Sequence, residues 1–285
     1  MSSRHIHQVR NIFWRSTEMP YVECRYAANS HACYKKHSHP TFSLGAVESG
    51  QSRFSYSQAH CNQTETIGPG TIVPVMPDSI HACNPLENQQ WSYHMFYIDS
   101  EWLEDLRGQI TDTRQGKKIR LQGLSRTLYQ PSLYRQIVRV NRLMLSDDPV
   151  LEKETRLISL MAQLMNTQNN EPERAPPLNH PAVSRVQEFL DTHACETITL
   201  DQLAQEAEIS SYHLIRLFKH HTGFTPHAFQ IDRRINQSKK LLKCSNSIAD
   251  VALKTGFSDQ AHFQRSFKQY TALTPAQYQQ TSKKI

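Results

Sequence analysis

Two stretches in the C-terminal third of the chain repeat one another, and this repeat constrains the fold more than any other feature. Thr199–Lys219 reads TLDQLAQEAEISSYHLIRLFK, and Ser247–Lys268 reads SIADVALKTGFSDQAHFQRSFK. The matching pairs are offset by 48 residues at the start and by 49 at the end, so the second copy has one extra residue after its turn. Self-similarity on this scale indicates one supersecondary unit used twice.

Each copy opens with the signals of a helix N-terminus. Thr199 with Gln202 forms the pattern of a capping box, and Ser247 with Asp250 is a looser version of it. The oxygen of such a cap accepts a hydrogen bond from a backbone N–H of the first turn, which no residue within the helix can satisfy. We therefore expect a helix to begin at both places.

A turn and a second helix follow in each copy. Gly256 allows a positive φ at the turn of the second copy, whereas the first copy has Glu208 at that position. New caps are expected at Ser210 and Ser258. The apolar residues of the second helices recur at helical spacing, which leaves a narrow buried stripe and a polar outer face. They are Leu214, Leu217 and Phe218 in one copy and Phe263 and Phe267 in the other.

The polar outer faces predict DNA binding, because the second helix of a helix–turn–helix enters the major groove. Arginine can bind a guanine edge with two hydrogen bonds and glutamine can do the same with adenine, whereas lysines late on the helix suit phosphates. The alternative is a helical bundle with solvated Arg and Lys side chains, and the presence of two aligned copies argues against it. The candidate DNA-binding residues are Ser211, Tyr212, Ile215, Arg216, Lys219, Gln260, Ala261, Gln264, Arg265 and Lys268.

The two copies also end alike, with GFTP at residues 223–226 and ALTP at residues 272–275. Thr as N-cap and Pro at the first helical position predict a further helix after each copy. The segments HLIRLFKHHTGFTPHAFQIDRRI, SIADVALKTGFSDQAHFQRSFK and LTPAQY resemble the DNA-binding domain of AraC/XylS transcription regulators. The resemblance covers about a hundred residues. It implies a long joining helix near Pro226–Lys243, and two recognition helices that enter successive major grooves on one face of the DNA, about 34 Å apart.

Two residues depart from the family pattern. Ser238 stands where the family usually has Ala, and Ala272 where it usually has Gly. Neither belongs to the predicted groove-facing set, so we expect both changes to be accommodated locally.

Residues 21–98 read as short β-strands punctuated by Gly and Pro, a pattern typical of an antiparallel barrel or sandwich. The segments KKHSHPTFSLGAVESG, IGPGTIVPVMPDSIHACNP and WSYHMFYID are similar to the cupin-like effector domain of one branch of AraC-type regulators. The predicted fold class is therefore α+β. An N-terminal antiparallel β-barrel of cupin-like type with a helical hairpin precedes a C-terminal all-α domain with two helix–turn–helix units.

A barrel of this kind predicts a small-molecule pocket with apolar walls and a few polar groups. Arg25 could clamp a carboxylate, the imidazoles could provide hydrogen bonds, and the two aromatic side chains could wall the cavity. The alternative for each residue is a plain core or surface position. The candidate effector-binding residues are Arg25, His37, His39, His81, Trp91 and Tyr93.

The same histidines raise the question of a metal, since three imidazoles can bind Zn, Fe or Mn if they converge. Metal-binding cupins also have a Glu three or four residues after the HxH motif, and here that window holds Phe42 and Ser43. The sequence therefore predicts no metal and no cofactor. A metal-binding cupin sensor, or a cupin enzyme with an accessory helical domain, stays as the alternative function.

Two amphipathic helices are predicted over Pro131–Leu145 and Pro149–Met165. They form a helical hairpin that either covers the barrel or, as the family resemblance implies, also pairs with a second subunit. The following NTQNNEPERAPPLNHP is polar and rich in proline, which indicates a linker. The predicted domains are residues 1–167 for effector binding and dimerisation, 168–179 for the linker and 180–285 for DNA binding.

Composition agrees with a cytoplasmic DNA-binding protein. The net charge is +6, and residues 180–285 hold 13 Lys/Arg against 9 Asp/Glu, as a polyanionic partner favours. The six cysteines show no CxxC spacing, and the N-terminus lacks the apolar core of a signal peptide. We expect a transcription regulator without catalytic residues. Its expected partners are double-stranded promoter DNA, a small-molecule effector, a second copy of the chain and RNA polymerase, with no membrane. The sequence leaves activation or repression open.

Overall fold

The computed structural model describes residues 10–58, 61–112, 127–167, 180–244 and 246–280. Strands come first in the chain and helices follow, as the α+β prediction requires. The strands are β1 (Arg10–Trp14), β2 (Val22–Ser30), β3 (Phe42–Ser49), β4 (Ser52–Gln58), β5 (Cys61–Ile67), β6 (Ile72–Val75), β7 (His81–Pro85) and β8 (Trp91–Ile98). The predicted linker at residues 168–179 lies outside the described residues.

The strands form two antiparallel sheets. The first has the order β1-β2-β8-β3-β6 and the second the order β5-β4-β7. The predicted fold class is confirmed, with one correction. The described strands do not close into a single barrel, because β4 pairs with β5 and β7 and has no ladder with the larger sheet. The sequence reading also missed β1, β5 and β7, since β1 and β7 are only five residues long and CNQTETI in β5 is largely polar.

Two hydrophobic cores hold the N-terminal domain together. One lies between the two sheets and contains Phe54, Val73, Trp91 and Tyr93. The other packs the larger sheet against three helices, through residues such as Phe96. These helices are α1 (Ser100–Asp112), α2 (Pro131–Met144) and α3 (Val150–Thr167). The helical hairpin predicted from the sequence is thus α2 and α3, and it covers one face of the larger sheet.

The described part of the C-terminal domain is all-helical. It comprises α4 (Pro181–His193), α5 (Leu200–Ala207), α6 (Ser211–Thr222), α7 (Pro226–Lys243), α8 (Ile248–Lys254), α9 (Gln260–Thr271) and α10 (Pro275–Gln280). Helix α7 has the bounds predicted from the family resemblance. Its Phe229 packs into the core of the first helix–turn–helix, and its Ile231, Ile235 and Leu242 pack into the core of the second. A single helix therefore joins both units. None of the described helices is both long and apolar enough to cross a membrane.

The caps agree with the sequence at all but one place. Thr199 and Gln202 form the capping box of α5, and Ser210 caps α6. The cap of α9 is Asp259, whose side chain accepts from the backbone N–H of His262 at 2.7 Å, so the prediction of Ser258 was wrong. The extra residue of the second copy explains the shift, because Ser210 and Asp259 are separated by the later offset of the repeat.

The two departures from the family pattern are accommodated differently. The buried hydroxyl of Ser238 donates to the carbonyl of Arg234 at 2.7 Å and lies 3.1 Å from the hydroxyl of Thr255, so this polar group is satisfied. Ala272 ends α9 in the left-handed region with φ of 58°, whereas its counterpart Gly223 ends α6 at φ of 77°. An L-residue with a Cβ is strained there, so the cost at Ala272 remains in the backbone.

Candidate DNA-binding faces and interdomain cavity

Helix α6 presents the first candidate DNA-binding face. Tyr212, Ile215, Arg216 and Lys219 are exposed, and Tyr212 is 71% accessible. The guanidinium of Arg216 lies 5.7 Å from the centre of the Tyr212 ring and donates to its hydroxyl at 3.4 Å, so these two side chains form one polar surface. Ser211 is only partly buried, and its hydroxyl donates to Asp201 of α5 at 3.0 Å. Ser211 therefore also helps to hold the two helices of the unit together.

Helix α9 presents the second face. Its predicted residues are all exposed, namely Gln260, Ala261, Gln264, Arg265 and Lys268. Phe263 and Phe267 lie on the opposite side and are fully buried. The aromatic stripe fixes the rotation of the helix, because burying it directs the polar residues to solvent. Both second helices thus leave their polar faces uncovered by the rest of the described chain.

A cavity of about 210 Å³ lies between the N-terminal domain and the helical domain. Aromatic side chains from both sides form much of its wall, including Phe13 and Tyr97 from the larger sheet, Tyr34 from the segment between β2 and β3, and Tyr270 and Tyr278 from the C-terminal helices. A ligand in this cavity would contact both domains at once. Its binding would therefore depend on how the domains are docked.

The cavity is rich in cations. Arg25 is 2% exposed, and its Nε donates to Asn11 at 2.9 Å while its Nη2 has no hydrogen-bond partner within the described part of the chain. Lys239, Lys240 and Lys243 of α7 also line the cavity. Burial lowers the pKa of Lys239, and the nearby carboxylates of Asp232 and Glu23 oppose that shift.

Two acidic side chains lie among these cations. Although burial opposes ionisation of Glu23, the charges of Lys243 and Arg15 hold its pKa below the usual value, and Lys243 forms an ion pair with it. Asp99 accepts hydrogen bonds from the backbone of Glu101 and Trp102 at 3.0 Å. Among the described residues that line the cavity, four cations outnumber two acids, so this part of the wall has an excess of positive charge. The cations are Arg25, Lys239, Lys240 and Lys243, and the acids are Glu23 and Asp99.

Three of the predicted effector-binding residues line this cavity, namely Arg25, His37 and His39. His81, Trp91 and Tyr93 do not. Trp91 and Tyr93 belong to the core between the sheets, with ring centres 4.2 Å apart, and the Tyr93 hydroxyl lies 2.8 Å from that of Tyr34. Burial against the second sheet, which the sequence did not reveal, keeps these two aromatic side chains out of the cavity wall.

His37, His39 and His81 lie together and are called the histidine cluster below. One ring nitrogen from each lies within 4.8 Å of the other two. His39 and His81 are buried and His37 is partly exposed. Burial, with the neighbouring imidazoles, lowers the pKa of His37 and His39 well below the usual value, and burial lowers that of His81 to about 4. All three rings are therefore neutral at neutral pH.

The histidine cluster adjoins the contact between the domains. Ser38 donates to the carboxylate of Asp232 on α7 through both its backbone N–H, at 3.0 Å, and its hydroxyl, at 2.6 Å. Asn236 donates to the carbonyl of Ser38 at 3.1 Å, and Arg233 donates to Asp78 at 2.9 Å. Burial raises the pKa of Asp232 to about 6, against the opposing effect of the Ser38 hydrogen bonds.

Comparison with known protein families supports both halves of this arrangement. The sequence profile of the AraC-like ligand binding domain matches residues 20–164, about half of the chain. The chain belongs to the AraC family. A helix-turn-helix domain profile matches residues 203–281. The protein is thus an AraC-type DNA-binding transcription regulator with an N-terminal ligand-binding domain, as its sequence resemblance implied.

Relatives of this AraC-family regulator include proteins that match most of it and proteins that match a part. It is 29% identical to the uncharacterized HTH-type transcriptional regulator YbfI of Bacillus subtilis. The alignment spans 231 residues and covers 80% of this chain and 81% of YbfI. It is also 36% identical to the transcriptional regulator Rob of Salmonella typhimurium. That alignment spans 95 residues and covers 33% of each chain.

Solved structures show that the whole arrangement recurs. An apo variant of ToxT from Vibrio cholerae superposes with a TM-score of 0.59 at 13% identity, covering 92% of this chain and 97% of ToxT. At that identity the likeness concerns the fold alone. The AraC-family fold seen here is therefore shared over nearly the full length of both proteins.

Sequence reasoning missed the lysines of the cavity. Lys239, Lys240 and Lys243 of this AraC-family regulator belong to the helix that joins the two DNA-binding units, where a basic side chain would ordinarily be assigned to DNA or solvent. The segment KKLLK at residues 239–243 holds the only local signal, a cluster of three lysines within five residues. Only the docking of α7 against the N-terminal domain places them together in the wall of the cavity.

Proposed function

We propose that this protein controls promoters by sequence-specific binding of double-stranded DNA, and that an anionic small molecule in the interdomain cavity regulates this binding. The DNA-binding part of this proposal is supported by the matching pair of exposed polar faces on α6 and α9. We assign residues 1–167 to effector binding and dimerisation, 168–179 to a linker and 180–285 to DNA binding. The candidate DNA-binding residues keep that role as a proposal, and so do Arg25, His37 and His39 among the candidate effector-binding residues, because these three line the cavity.

The unpartnered Nη2 of Arg25 supports an anionic effector. A buried guanidinium with an unused donor is costly unless a ligand completes its hydrogen bonds, and a carboxylate fits the planar fork of donors best. The ring centres of Phe13 and Tyr93 lie 5.0 and 5.5 Å from the guanidinium carbon, so the group is held in an aromatic surrounding. These contacts fix the position of the charge before a ligand arrives.

The apolar walls indicate the rest of the ligand. A cavity lined by Phe13, Tyr97, Tyr270 and Leu273 favours an acid that carries an aromatic or aliphatic body. ToxT, which shares the fold, has been solved with an unsaturated fatty acid bound. We propose the same broad chemical class, a carboxylic acid with an apolar body, from the residues of this chain.

Removing a cavity cation is expected to weaken acid binding. A panel of aliphatic and aromatic carboxylates, with an unsaturated fatty acid and the amino acids, is titrated while the thermal midpoint of the full chain is followed. At least one acid should raise the midpoint, because a ligand that binds only the folded state stabilises it. Arg25→Gln should weaken its binding by about 10- to 100-fold, since a hydrogen bond between charged groups contributes roughly 1.5–3 kcal/mol.

Two further variants make this test specific. Lys240→Gln changes an exposed cavity residue without disturbing the core and should also weaken binding, whereas Lys254→Gln removes the same charge from an exposed position outside the cavity and should not. If no acid shifts the midpoint, or if the Lys254 variant loses as much affinity as the other two, the cavity is not the effector site. A binding acid should also change affinity for operator DNA.

We propose that the protein acts as a homodimer through α3. Leu151 and Ile158 lie two turns apart on this helix and are 74% and 36% exposed. Most of the other apolar residues of α3 pack onto its own domain. Sedimentation should show a dimer at micromolar concentration, and Leu151→Glu with Ile158→Glu should shift it to monomer because two buried charges would oppose association. A wild-type monomer, with and without DNA, contradicts the proposal.

The remaining expectations follow from promoter binding. We propose that the protein works in the cytoplasm, where it contacts chromosomal DNA and RNA polymerase, and that it has no catalytic activity. One relative, AdaA of Bacillus subtilis, is named a bifunctional transcriptional activator and DNA repair enzyme and matches 35% of this chain. Burial raises the pKa of the Cys24, Cys83 and Cys195 thiols, which disfavours a reactive thiolate at these positions.

A further inference from the structure

The backbone around the histidine cluster positions the three rings next to one another. His37 and His39 alternate with Ser38 along an extended segment, so their side chains lie on one side of it. His81 begins β7 and pairs with His37 through two backbone hydrogen bonds of 3.0 and 2.9 Å. The ring centres of His37 and His39 lie 4.4 and 4.9 Å from that of His81. Two separate segments of the chain are therefore tied together where the three rings meet.

The hydrogen bonds of the rings fix which nitrogen is free. The Nδ1 atoms of His37, His39 and His81 lie 2.8, 2.9 and 2.9 Å from the backbone carbonyls of Lys35, Thr41 and Ser79, respectively. A carbonyl only accepts, so each Nδ1 must donate its hydrogen, and each neutral ring carries its lone pair on Nε2. Histidines that bind metals are held in this way, with the second nitrogen donating to a carbonyl or carboxylate.

We propose that His37, His39 and His81 bind one Zn²⁺ ion through their Nε2 atoms. Ring nitrogens this close can converge on one tetrahedral zinc ion with small side-chain rotations, and the fourth position stays open for water or an anion. This inference goes beyond the proposed effector site, since His81 does not line the cavity.

Ser43 takes the place of the acid that metal-binding cupins have after the HxH motif. Its hydroxyl lies 3.2 Å from Nε2 of His39 and donates to that lone pair while no ion is bound. Zinc would replace this hydrogen bond. Because no carboxylate belongs to the histidine cluster, the ion keeps its full double charge and attracts an anion to its open position.

The zinc site is linked to the DNA-binding domain through its neighbours in the chain. Ser38, between two of the ligands, contacts Asp232 of α7, and Asp78, three residues before the third, contacts Arg233. The backbone N–H of Asp78 also donates to the carbonyl of His39 at 2.8 Å. An ion that fixes both segments stabilises the surface on which α7 docks, so zinc favours the docked arrangement of the domains.

The test uses the full chain, freed of metal by chelator and kept reduced. Calorimetric titration with Zn²⁺ should show one equivalent bound, and Co²⁺ should give the visible absorption of a tetrahedral site. His39→Ala and His81→Ala should each lower the affinity by at least about 100-fold, since loss of a direct ligand exceeds the loss of an outer partner. His31→Ala removes an exposed histidine outside the cluster and should bind zinc like the wild type.

His81→Gln accompanies the alanine variant, and circular dichroism of each metal-free variant checks that it folds. Absence of zinc binding by the wild type, or equal binding by folded His81→Ala or His81→Gln, overturns the site. Arg25→Gln should keep zinc binding, which separates failure of this site from failure of the effector cavity. Zinc should also change operator affinity in the wild type and not in His81→Gln. If zinc binds but operator affinity stays the same, the coupling to α7 is wrong and the site stands.

Discussion

Replacing Arg216 or Arg265 with alanine is expected to weaken operator binding by roughly 5- to 150-fold, which corresponds to about 1–3 kcal/mol for each lost base contact. Both guanidinium groups are exposed on the polar faces of α6 and α9, and they occupy matching places in the repeat. Each substitution should also relax sequence preference at one base-pair position, because only that hydrogen-bond pattern is lost. The double variant should lose about the sum, since the two units are separate.

The measurement is fluorescence anisotropy on operator DNA found by footprinting, with single-base variants of that DNA. Lys268→Ala is the matched comparison. Loss of a phosphate contact should weaken binding to all DNA sequences alike and should lower the slope of log K against log salt concentration by about one. Lys254→Ala, at an exposed position of α8, controls for loss of one positive charge in the same domain. Unchanged operator affinity in both arginine variants would show that α6 and α9 do not read DNA.

Replacing Gly256 with alanine is expected to destabilise the C-terminal domain by about 3 kcal/mol, through backbone strain and overlap. Gly256 has φ of 75°, and a Cβ there would lie 2.1 Å from the carbonyl oxygen of Cys195. Arg234 also donates to the carbonyl of Gly256 and, at 2.8 Å, to that of Glu196. The substitution therefore pushes apart a junction at which both helix–turn–helix units meet.

Ala272→Gly is the matched opposite and should stabilise the domain by about 0.5–1 kcal/mol, because it removes the left-handed strain of an alanine at the end of α9. Urea unfolding of the full chain, followed by helical circular dichroism, gives both values. A Gly256→Ala protein as stable as the wild type, or a destabilised Ala272→Gly protein, would contradict the conformations assigned to these two turns.

The repeat made the C-terminal domain predictable in detail. Capping at Thr199, Ser210 and Thr225 follows from local chemistry, and the joining helix has the predicted bounds. The prediction failed at Ser258, where a single inserted residue moved the cap to Asp259. The strands were harder to predict from the sequence. The polar β5 and the short β1 depend on partners distant in sequence, so their own residues carry little signal.

The candidate sites divide in the same way. The sequence correctly grouped His37, His39 and His81 as residues that could converge, but the absent acid after the HxH motif argued against a metal. The structure added the carbonyl partners of each Nδ1, which leave the lone pair of each ring on Nε2. It also showed that Trp91 and Tyr93 lie in a core, and that Lys239 of α7 and Arg25 of β2 line the same cavity.

By itself the sequence determined the two helix–turn–helix units and their exposed polar faces, because caps, helical periodicity and turn residues act over a few neighbouring positions. Only the tertiary structure decided which charges face one another across the two domains. That arrangement depends on the docking of α7 against β2 and the segment around Ser38, contacts between residues nearly two hundred positions apart. No local pattern encodes such pairings, since burial and electrostatic complementarity at a distance emerge only when the whole chain is folded.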